Sequence, residues 1–409
     1  MKCNPIFAVT LFIVIQSGIS DDDLDDGYDS VQGYLNSLLE DEEDDVKKLN
    51  HSVLHPSVHE PPGHHEIIAG VELASPVTEY LSEVHKIWQP FKQAVHNKMY
   101  WTLLDLKRKK QWVENLIRIH QHNEKTRSTN SGYYLRANHL SDLNIREYIR
   151  RMLRVTKSHR DSSEPSKYAT TYVKRQLNVP EEWNWLEQGF FTPAWDQANC
   201  GSCYAFSIAA SAQGQYFRKT RQLRNLSVQQ IVDCSVFNGN LGCYGGSLRN
   251  ALKYCTNAGG LMSADEYPYA ARQKLCKYRP WHKSVNVTSY VILPEYDEEA
   301  IQEAVATVGP VACSVDASPY TFQLYHKGIY DDPNCSHHKV NHAMLIVGYT
   351  KDAWILKNWW GEHWGIDGYM YLKKGVNQCA IAKYAGYPIV DDDNSSEEDV
   401  AEESLPIWK

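Results

Sequence analysis

Two cysteines stand three residues apart in the stretch NCGSCYAFS, at Cys200 and Cys203, and a run with helical periodicity follows them. A pair at this spacing serves three kinds of chemistry: a redox dithiol, half of a zinc site, or a disulfide cysteine beside a catalytic nucleophile. The pair alone fits all three, so the choice depends on the rest of the chain.

The remaining sequence argues against the first two kinds of site. A zinc site needs four ligands, and no second CxxC or HxxxH pair follows at the spacing of a zinc ribbon or finger. A thioredoxin-like dithiol belongs to a reducing compartment, whereas the chain opens with MKCNPIFAVTLFIVIQSGIS, which is typical of a secretory signal peptide. The third kind is favoured because His342 and Asn358 follow Cys203 after 139 and 155 residues, an order typical of cysteine proteases.

Six motifs in the same half of the chain carry a resemblance to the papain-like cysteine proteases. They are DQANCGSCYAFS (196–207), LSVQQIVDCS (226–235), GCYGG (242–246), YPY (267–269), VNHAMLIVGY (340–349) and KNWWGEHWGIDGY (357–369). The resemblance covers residues 179–390 and, more weakly, 84–142. It implies an α+β fold with a helical lobe, a β-barrel-like lobe and an active site in the cleft between them.

The elements that must hold this site are visible in the periodicity. Residues 203–219 have the apolar spacing of a helix, and the runs VACSVD, AMLIVGY, AWILKN and GYMYLKK have the character of strands. The sequence therefore predicts a helical part that carries Cys203 and a β-rich part that carries His342 and Asn358.

The resemblance implies four catalytic roles. Cys203 would be the nucleophile, with its thiolate favoured by a helix N-terminus and a neighbouring imidazolium. His342 would pair with the thiolate and protonate the leaving amine, and Asn358 would orient the imidazole. Gln197, six residues before Cys203, would form an oxyanion hole with the backbone N–H of the nucleophile.

The resemblance also implies a substrate-binding surface. Trp360 would cover the hydrogen bond between His342 and Asn358 and keep water from it. The S2 pocket takes the side chain two residues before the cut, and its matching positions are Gly245, Gly246, Leu248, Ser314, Val340 and Tyr384. An apolar wall without an acidic floor predicts hydrophobic P2 residues, and the bulk of Tyr384 predicts a shallow pocket.

Nine cysteines remain when Cys3 leaves with the signal peptide, and an oxidising compartment predicts that most of them pair. The sequence alone leaves the connectivity open. By resemblance, the pairs are Cys200 with Cys243, Cys234 with Cys276, and Cys335 with Cys379. Cys255 and Cys313 are then expected to be buried free thiols in different lobes.

Three residues depart from the family pattern: Tyr204 replaces a usual Trp, Ala198 a usual Gly, and Trp359 a usual Ser. None of them removes a catalytic atom. Upstream, residues 108–123 read R-x3-W-x2-N-x3-I-x3-N, which resembles the inhibitory proregion of the cathepsin L branch, although Leu104 stands where that motif begins with Glu. RANHLSD at 136–142 keeps only Asn138 and Asp142 of a companion motif.

Composition changes along the chain, together with the family resemblance, predict five segments. They are a signal peptide (1–20), a largely disordered acidic and His/Pro-rich extension (21–83), a helical inhibitory prodomain with a linker (84–178), the catalytic domain (179–390) and an acidic, disordered tail (391–409). The histidines of the extension are interpreted as part of a solvated linker, so neither a metal site nor a cofactor is predicted. A net charge of −8 and the lack of a long apolar run after the signal argue against a nucleic-acid partner and a membrane span.

These observations predict a cysteine endopeptidase made as a secreted zymogen, destined for the lysosome or the extracellular space. Its partners would be peptide or protein substrates, its own propeptide as an intramolecular inhibitor, and cystatin-like inhibitors. Sequons at Asn225 and Asn286 predict N-glycosylation. The alternative is an inactive papain-fold protein for binding or storage, which is less consistent with the presence of all four catalytic residues.

Overall fold

The computed structural model describes residues 87–93, 99–100, 102–129, 132–155, 169–175 and 177–391. The signal segment, the acidic and His/Pro-rich extension and the tail after Asp391 lie outside these residues. The chain divides into two units, Met1–Tyr100 and Trp101–Lys409. In the first unit, residues 87–93 are helical, and the buried ring of Trp88 stacks on Phe91 and Tyr100 with centroids 5.5 and 6.3 Å apart.

The second unit begins with a helix α1 (Thr102–Thr129), a strand β1 (Tyr133–Leu135) and a helix α2 (Ile145–Met152). Trp112, Asn115 and Ile119 are buried along one face of α1, as the helical period predicts. The Asn115 side chain donates to the Ser141 carbonyl at 2.7 Å, which ties this face to the segment before α2. Leu104, one turn before Arg108 in the same helix, is 39% exposed. The segment before α2 contacts α1 at Arg108, whose guanidinium donates to the Asp142 carbonyl.

Three helices follow in the region that carries the sequence motifs. They are α3 (Cys203–Thr220), α4 (Val228–Cys234) and α5 (Leu248–Ala258). α3 is buried from Cys203 to Phe217 because helices pack on one side of it and the sheet on the other. Ser227 and Ser247 cap α4 and α5 by accepting backbone N–H groups with their hydroxyls.

An eleven-stranded mixed sheet forms the other layer. Besides β1 it contains β2 (Ala169–Thr171), β3 (Trp183–Asn184), β4 (Gly260–Met262), β5 (Lys283–Ile292), β6 (Val311–Val315), β7 (Tyr325–Tyr330), β8 (His342–Tyr349), β9 (Ala353–Lys357), β10 (Tyr369–Lys373) and β11 (Ala385–Asp391), with helices α6 (Glu298–Thr307) and α7 (Tyr320–Gln323) between strands. The strand order is β1-β7-β10-β9-β8-β6-β11-β5-β2, while β3 pairs with β8 and β4 with β5. The four strand-like runs of the sequence correspond to β6, β8, β9 and β10.

Two strands from the region before residue 179 join the sheet. β1 pairs antiparallel with β7, and β2 pairs parallel with β5. From the sequence, the residues around β2 are predicted to belong to a polar linker. The strand has only three residues and no alternating apolar pattern, so it gives no strand signal. Gly328 is required where β1 meets β7: its φ is +91°, and a Cβ there would lie 2.6 Å from the Gly132 carbonyl oxygen.

Candidate active site

Cys203 is the first residue of α3, in a loop held by a disulfide. Cys200 is bonded to Cys243, and the Gly201 N–H donates to the Cys243 carbonyl at 2.9 Å. These bonds fix the approach to the helix, so the Cys203 side chain lies at a helix N-terminus, where the dipole favours an anion. Cys203 is a free thiol and is fully buried.

His342 begins β8 and Asn358 follows the last residue of β9, the strand paired with β8. Their side chains meet through His342 Nε2 and Asn358 Oδ1 at 2.7 Å. The Trp359 backbone N–H also donates to Asn358 Oδ1 at 2.8 Å, which identifies this atom as the amide oxygen. An acceptor at Nε2 requires that Nε2 carry the hydrogen, so Nδ1 of the neutral imidazole is the basic atom.

Trp360 packs on this pair. Its ring centroid lies 4.7 Å from that of His342, and both side chains are fully buried. A dry, low-dielectric environment strengthens the His342–Asn358 hydrogen bond.

Burial sets the charge of both reactive groups in this structure. Burial raises the pKa of the Cys203 thiol to about 11, against the opposing effect of backbone N–H groups of Ala343, Tyr204 and Arg154. Burial lowers the pKa of His342 to about 4, although its hydrogen bond to Asn358 acts in the other direction. Burial therefore favours the neutral form of both groups in the covered site.

Gln197 points its amide at a carbonyl from the α2 region. Its Nε2 donates to the Met152 carbonyl oxygen at 3.1 Å. The backbone of Gln197 is fixed on both sides, since its N–H donates to the Trp359 carbonyl at 2.8 Å and its carbonyl accepts the Tyr269 hydroxyl at 2.9 Å. The backbone thus holds the Gln197 amide in place as a hydrogen-bond donor, and the Met152 carbonyl oxygen accepts from it.

The cover over the site is the short segment from Met152 to Val155. The Arg154 carbonyl accepts the Gly246 N–H at 3.2 Å, and the Val155 N–H donates to the Asn341 carbonyl at 2.9 Å. The stem of Arg154 lies on Gly201, where a Cβ would come within 2.4 Å of it. The sequence does not predict that this segment covers the site. Its contacts are mainly backbone hydrogen bonds, which do not depend on particular side chains.

Two family models match this chain. Residues 179–389 match the family model described as papain family cysteine protease, and residues 88–148 match the cathepsin propeptide inhibitor domain (I29). The chain belongs to the papain family of cysteine proteases. It is a zymogen of that family, because its inhibitory prodomain and its protease domain lie on one chain.

Individual relatives are of the cathepsin L type. The chain is 36% identical to human (Homo sapiens) cathepsin L2 over 330 residues, which is 78% of this chain and 96% of that protein. It is 36% identical to procathepsin L of Rattus norvegicus over 331 residues, 79% of this chain and 96% of the relative.

Solved proforms have the same fold. Digestive procathepsin L 3 from the larval midgut of Tenebrio molitor superposes with a TM-score of 0.69 at 30% identity, over 75% of this chain and 98% of that one. A recombinant stem bromelain precursor gives 0.67 at 28% identity, over 76% and 99%. The predicted papain-like α+β fold with a prodomain is confirmed.

The residues expected in the S2 pocket of this papain-family protease are only partly joined by direct contacts. The Ser314 N–H and hydroxyl both donate to the Tyr384 carbonyl, at 2.9 and 3.3 Å. Leu248 is buried at the start of α5, Val340 is half-buried, and Gly245 and Gly246 lie against Arg154. The sequence missed Arg249, whose guanidinium lies 5.6 Å from the Tyr384 ring centroid.

The three departures from the family pattern have structural explanations. The Tyr204 hydroxyl donates to the Gly242 carbonyl at 3.2 Å, tying α3 to the Gly242–Tyr244 turn. Trp359 stacks on Phe206 at 5.4 Å and donates to the Ser207 hydroxyl at 3.1 Å, so it fills the space between α3 and the loop after β9. Ala198 has a φ of 53°, a left-handed conformation in which its Cβ is strained.

The structure contains three disulfides, which join Cys200 to Cys243, Cys234 to Cys276 and Cys335 to Cys379. These are the pairs that the family resemblance implies. Cys255 in α5 and Cys313 in β6 are buried free thiols. Of the two sequon residues, Asn225 is exposed and Asn286 is half-buried in β5.

No group of three or more His, Cys, Asp or Glu side chains among the described residues could hold a metal ion. No helix in that part of the chain is long and apolar enough to cross a membrane. The histidines between 51 and 65 lie outside the described ranges.

Proposed function

We propose that this papain-family protease is an endopeptidase that works through Cys203, His342, Asn358 and Gln197. The observation that carries the proposal is the site itself: an oriented His342–Asn358 pair, a free thiol at a helix N-terminus, and a Gln197 amide aimed at a peptide carbonyl. The prodomain chain continues on both sides of Met152 as it crosses the site. A substrate that is cleaved at an internal peptide bond would also extend on both sides of the site.

The chemistry follows from these atoms. When the prodomain leaves, water returns to the cleft and the thiol proton moves to Nδ1 of His342, giving a thiolate and an imidazolium. The thiolate attacks the peptide carbonyl carbon, and the resulting oxyanion accepts from the Gln197 amide and the Cys203 N–H. His342 then protonates the leaving amine, and a thioester remains on Cys203.

The second half of the reaction regenerates the enzyme. Neutral His342 takes a proton from water, and the hydroxide attacks the thioester carbon. The oxyanion forms again at Gln197, and its collapse breaks the C–S bond. The thiolate leaves beside the imidazolium, which restores the initial pair.

The activity test uses full-length zymogen incubated at about pH 5 with a thiol reductant and a fluorogenic peptide that has an apolar P2 residue. We expect hydrolysis to appear as the prodomain is removed, and no hydrolysis from Cys203→Ala. Gln197→Ala should lower kcat about a hundredfold or more while the chain still folds. A zymogen that loses its prodomain and stays silent would favour the inactive binding or storage protein instead.

We propose that the S2 pocket prefers Val or Leu over Phe and Arg. Leu248 and Val340 supply apolar wall, Tyr384 limits the depth, and the Arg249 guanidinium beside Tyr384 disfavours a basic P2 side chain. A P2 peptide library read by kcat/KM tests this. Preference for Arg would contradict it.

We further propose passage through the secretory pathway to the lysosome or the extracellular space, with cystatin-like proteins as inhibitors. The signal-like opening, the cathepsin L-type relatives and the exposed Asn225 support this. In a secreting cell line, the secreted zymogen should begin after about residue 20, and Asn225 and Asn286 should carry glycans that a glycosidase removes. Retention of residues 1–20 would contradict the route.

A further inference from the structure

The C-terminal end of α3 and the turn after it form a basic surface, defined by Arg218, Lys219, Arg221 and Arg224. No acidic residue occurs between 218 and 232. These four residues lie within seven positions of one another in the sequence, and none of them is among the residues described above at the active site. Arg221 is exposed, and the guanidinium of Arg224 lies over the Tyr216 ring at 4.4 Å.

The last described strand, β11, leads directly to this basic surface. Burial raises the pKa of the Tyr387 hydroxyl in β11 to about 12, and the charges of Arg175 and Arg218 oppose this rise. Four residues later, Asp391 Oδ1 lies 3.6 Å from the Lys219 ammonium. The chain therefore leaves the described structure with its first acidic side chain already paired to the basic surface.

The sheet register indicates where the chain goes next. Asp391 pairs with Asn286, so continuing the antiparallel register would bring residue 393 opposite Ser284. Among the described strands, residues 283–285 of β5 pair only with β4, on the opposite edge. The Ser284 carbonyl on the open edge accepts from Arg224, which places a guanidinium at the point that residue 393 would reach.

The segment that follows has the complementary charge. Residues 391–403 contain eight acidic side chains, and the first basic residue after them is Lys409. The acidic stretch near the N-terminus has similar composition, but residues 392 and 393 are one and two positions from a carboxylate that is already in place. Charge and connectivity thus favour the C-terminal segment as the occupant.

We propose that residues 392–403 dock on the basic surface and cover it as an intramolecular polyanion. Each exposed ion pair is weak, but several pairs on a tethered segment act together. The docked segment shields Arg221 and Arg224 from external polyanions. Because it lies at the far end of the chain from the prodomain, this contact persists after activation.

The first experiment maps contacts in the full-length Cys203→Ala zymogen with a carbodiimide, which joins carboxylates to amines without a spacer. Arg221→Lys and Arg224→Lys keep the charge and add a reactive amine. We expect cross-links from these lysines to residues 392–403 within one chain, and loss of at least half of them at about 0.5 M NaCl. Arg272→Lys, an exposed matched control on the same domain, should give none to this segment.

The second experiment tests shielding, with heparin-agarose as the probe. A chain that ends at Asp391 should elute at higher salt than the full chain, and Arg221→Gln with Arg224→Gln should abolish the difference. Equal elution of full and shortened chains would overturn the proposal. Cross-links from positions 221 and 224 that go to residues 21–45, to a second copy, or nowhere would overturn it as well.

Discussion

Cys203 and His342 hold one proton between them in the covered site, and it resides on sulfur because burial keeps the imidazole neutral. In the proposed active form the same proton resides on His342, beside a thiolate. Moving the proton from sulfur to nitrogen leaves the number of bound protons unchanged, so this transfer by itself gives prodomain release no pH dependence. We therefore expect an acid trigger among other groups.

Ala198 offers a residue-scale prediction, because it adopts a φ of 53°. Ala198→Gly removes the Cβ strain of a left-handed residue but adds backbone entropy to the unfolded chain. We expect a net gain of about 0.5–1 kcal/mol, seen as a melting temperature higher by about 2 °C in the Cys203→Ala background.

The matched control for Ala198 is Ala209→Gly, within α3, which should lower the melting temperature because a helical position gains nothing from a left-handed backbone. An unchanged or lower melting temperature for Ala198→Gly would show that the strain is relieved elsewhere.

At this scale the sequence proposes catalytic candidates through the motifs that resemble those of the papain family. Cys203, His342 and Asn358 are such candidates, and the structure brings the side chains of His342 and Asn358 together. The packing of Tyr204 and Trp359 could not be predicted, since a buried aromatic side chain fits whatever cavity the surrounding elements leave. The role of Arg249 beside Tyr384 depends on tertiary contact and has no local signal.

Among the elements, α2 is the one that positions the cover on the active site. Tyr148 is fully buried, donates its hydroxyl to the Ala317 carbonyl at 2.7 Å and sets its ring edge-on to Trp360 at 5.7 Å. It therefore links the helix that ends at Met152 to the tryptophan over His342. Through this contact the prodomain reaches Trp360 and His342.

Tyr148→Ala should weaken inhibition, because removing a buried aromatic ring costs about 3–5 kcal/mol of packing. We expect the full-length zymogen to process itself at a pH where the unchanged chain is stable. The measurement is the rate of appearance of mature protease on a gel, with Cys203→Ala as the inactive reference.

Tyr148→Phe is the matched control and should have a smaller effect, about 1 kcal/mol, since it loses only the hydrogen bond to Ala317. Equal processing rates for the unchanged chain and Tyr148→Ala would mean that other contacts hold α2 in place.

Some strands could be predicted from the sequence and others could not. β6, β8 and β9 are runs of buried apolar residues, so their pattern identifies them. β2 has three residues and exists because the edge of β5 accepts them, a partner the local sequence does not reveal. Glu303 then holds the following residues, accepting the Tyr172 hydroxyl at 3.1 Å and the Arg175 N–H at 2.9 Å.

At the scale of the whole molecule, the prodomain contains titratable side chains that are partly buried in the packed form, among them His122 and Glu147. Burial lowers the pKa of His122 in α1, while its hydrogen bond to the Tyr133 carbonyl opposes this shift. A histidine kept neutral by burial stabilises the packed form fully above its free value of 6.5, and the contribution is lost as the pH falls toward the lowered pKa. This window covers mildly acidic conditions.

Glu147 in α2 changes its protonation at a lower pH than His122 does. Burial raises the pKa of Glu147, but the hydrogen bonds and charge of Arg108, together with the charges of Arg151 and Arg150, outweigh burial, and the net shift is downward from 4.5. A carboxylate with a lowered pKa stabilises the packed form above 4.5 and loses that contribution only as the pH falls through the lowered value. His122 therefore responds before Glu147 when the pH falls from neutral.

His122→Gln should shift the midpoint of autoactivation to lower pH by a few tenths of a unit. Gln can still donate to the Tyr133 carbonyl but does not bind a proton in this range. The midpoint is read from initial processing rates between about pH 4 and 7.

His337→Gln, on the exposed surface of the protease domain, should leave the midpoint unchanged. An unaltered midpoint for His122→Gln would move the acid response to other groups, such as His326 in β7, whose pKa burial also lowers.

The three disulfides all close loops within the protease domain, spanning 43, 42 and 44 residues, and the prodomain segment 84–178 contains no cysteine. Inhibition before cleavage is therefore concentration-independent, because the tether supplies a high effective concentration of inhibitor. A single cut between the domains turns the prodomain into an ordinary dissociable ligand. Dilution after that cut is then enough to commit the protease to activity, with no thiol exchange required.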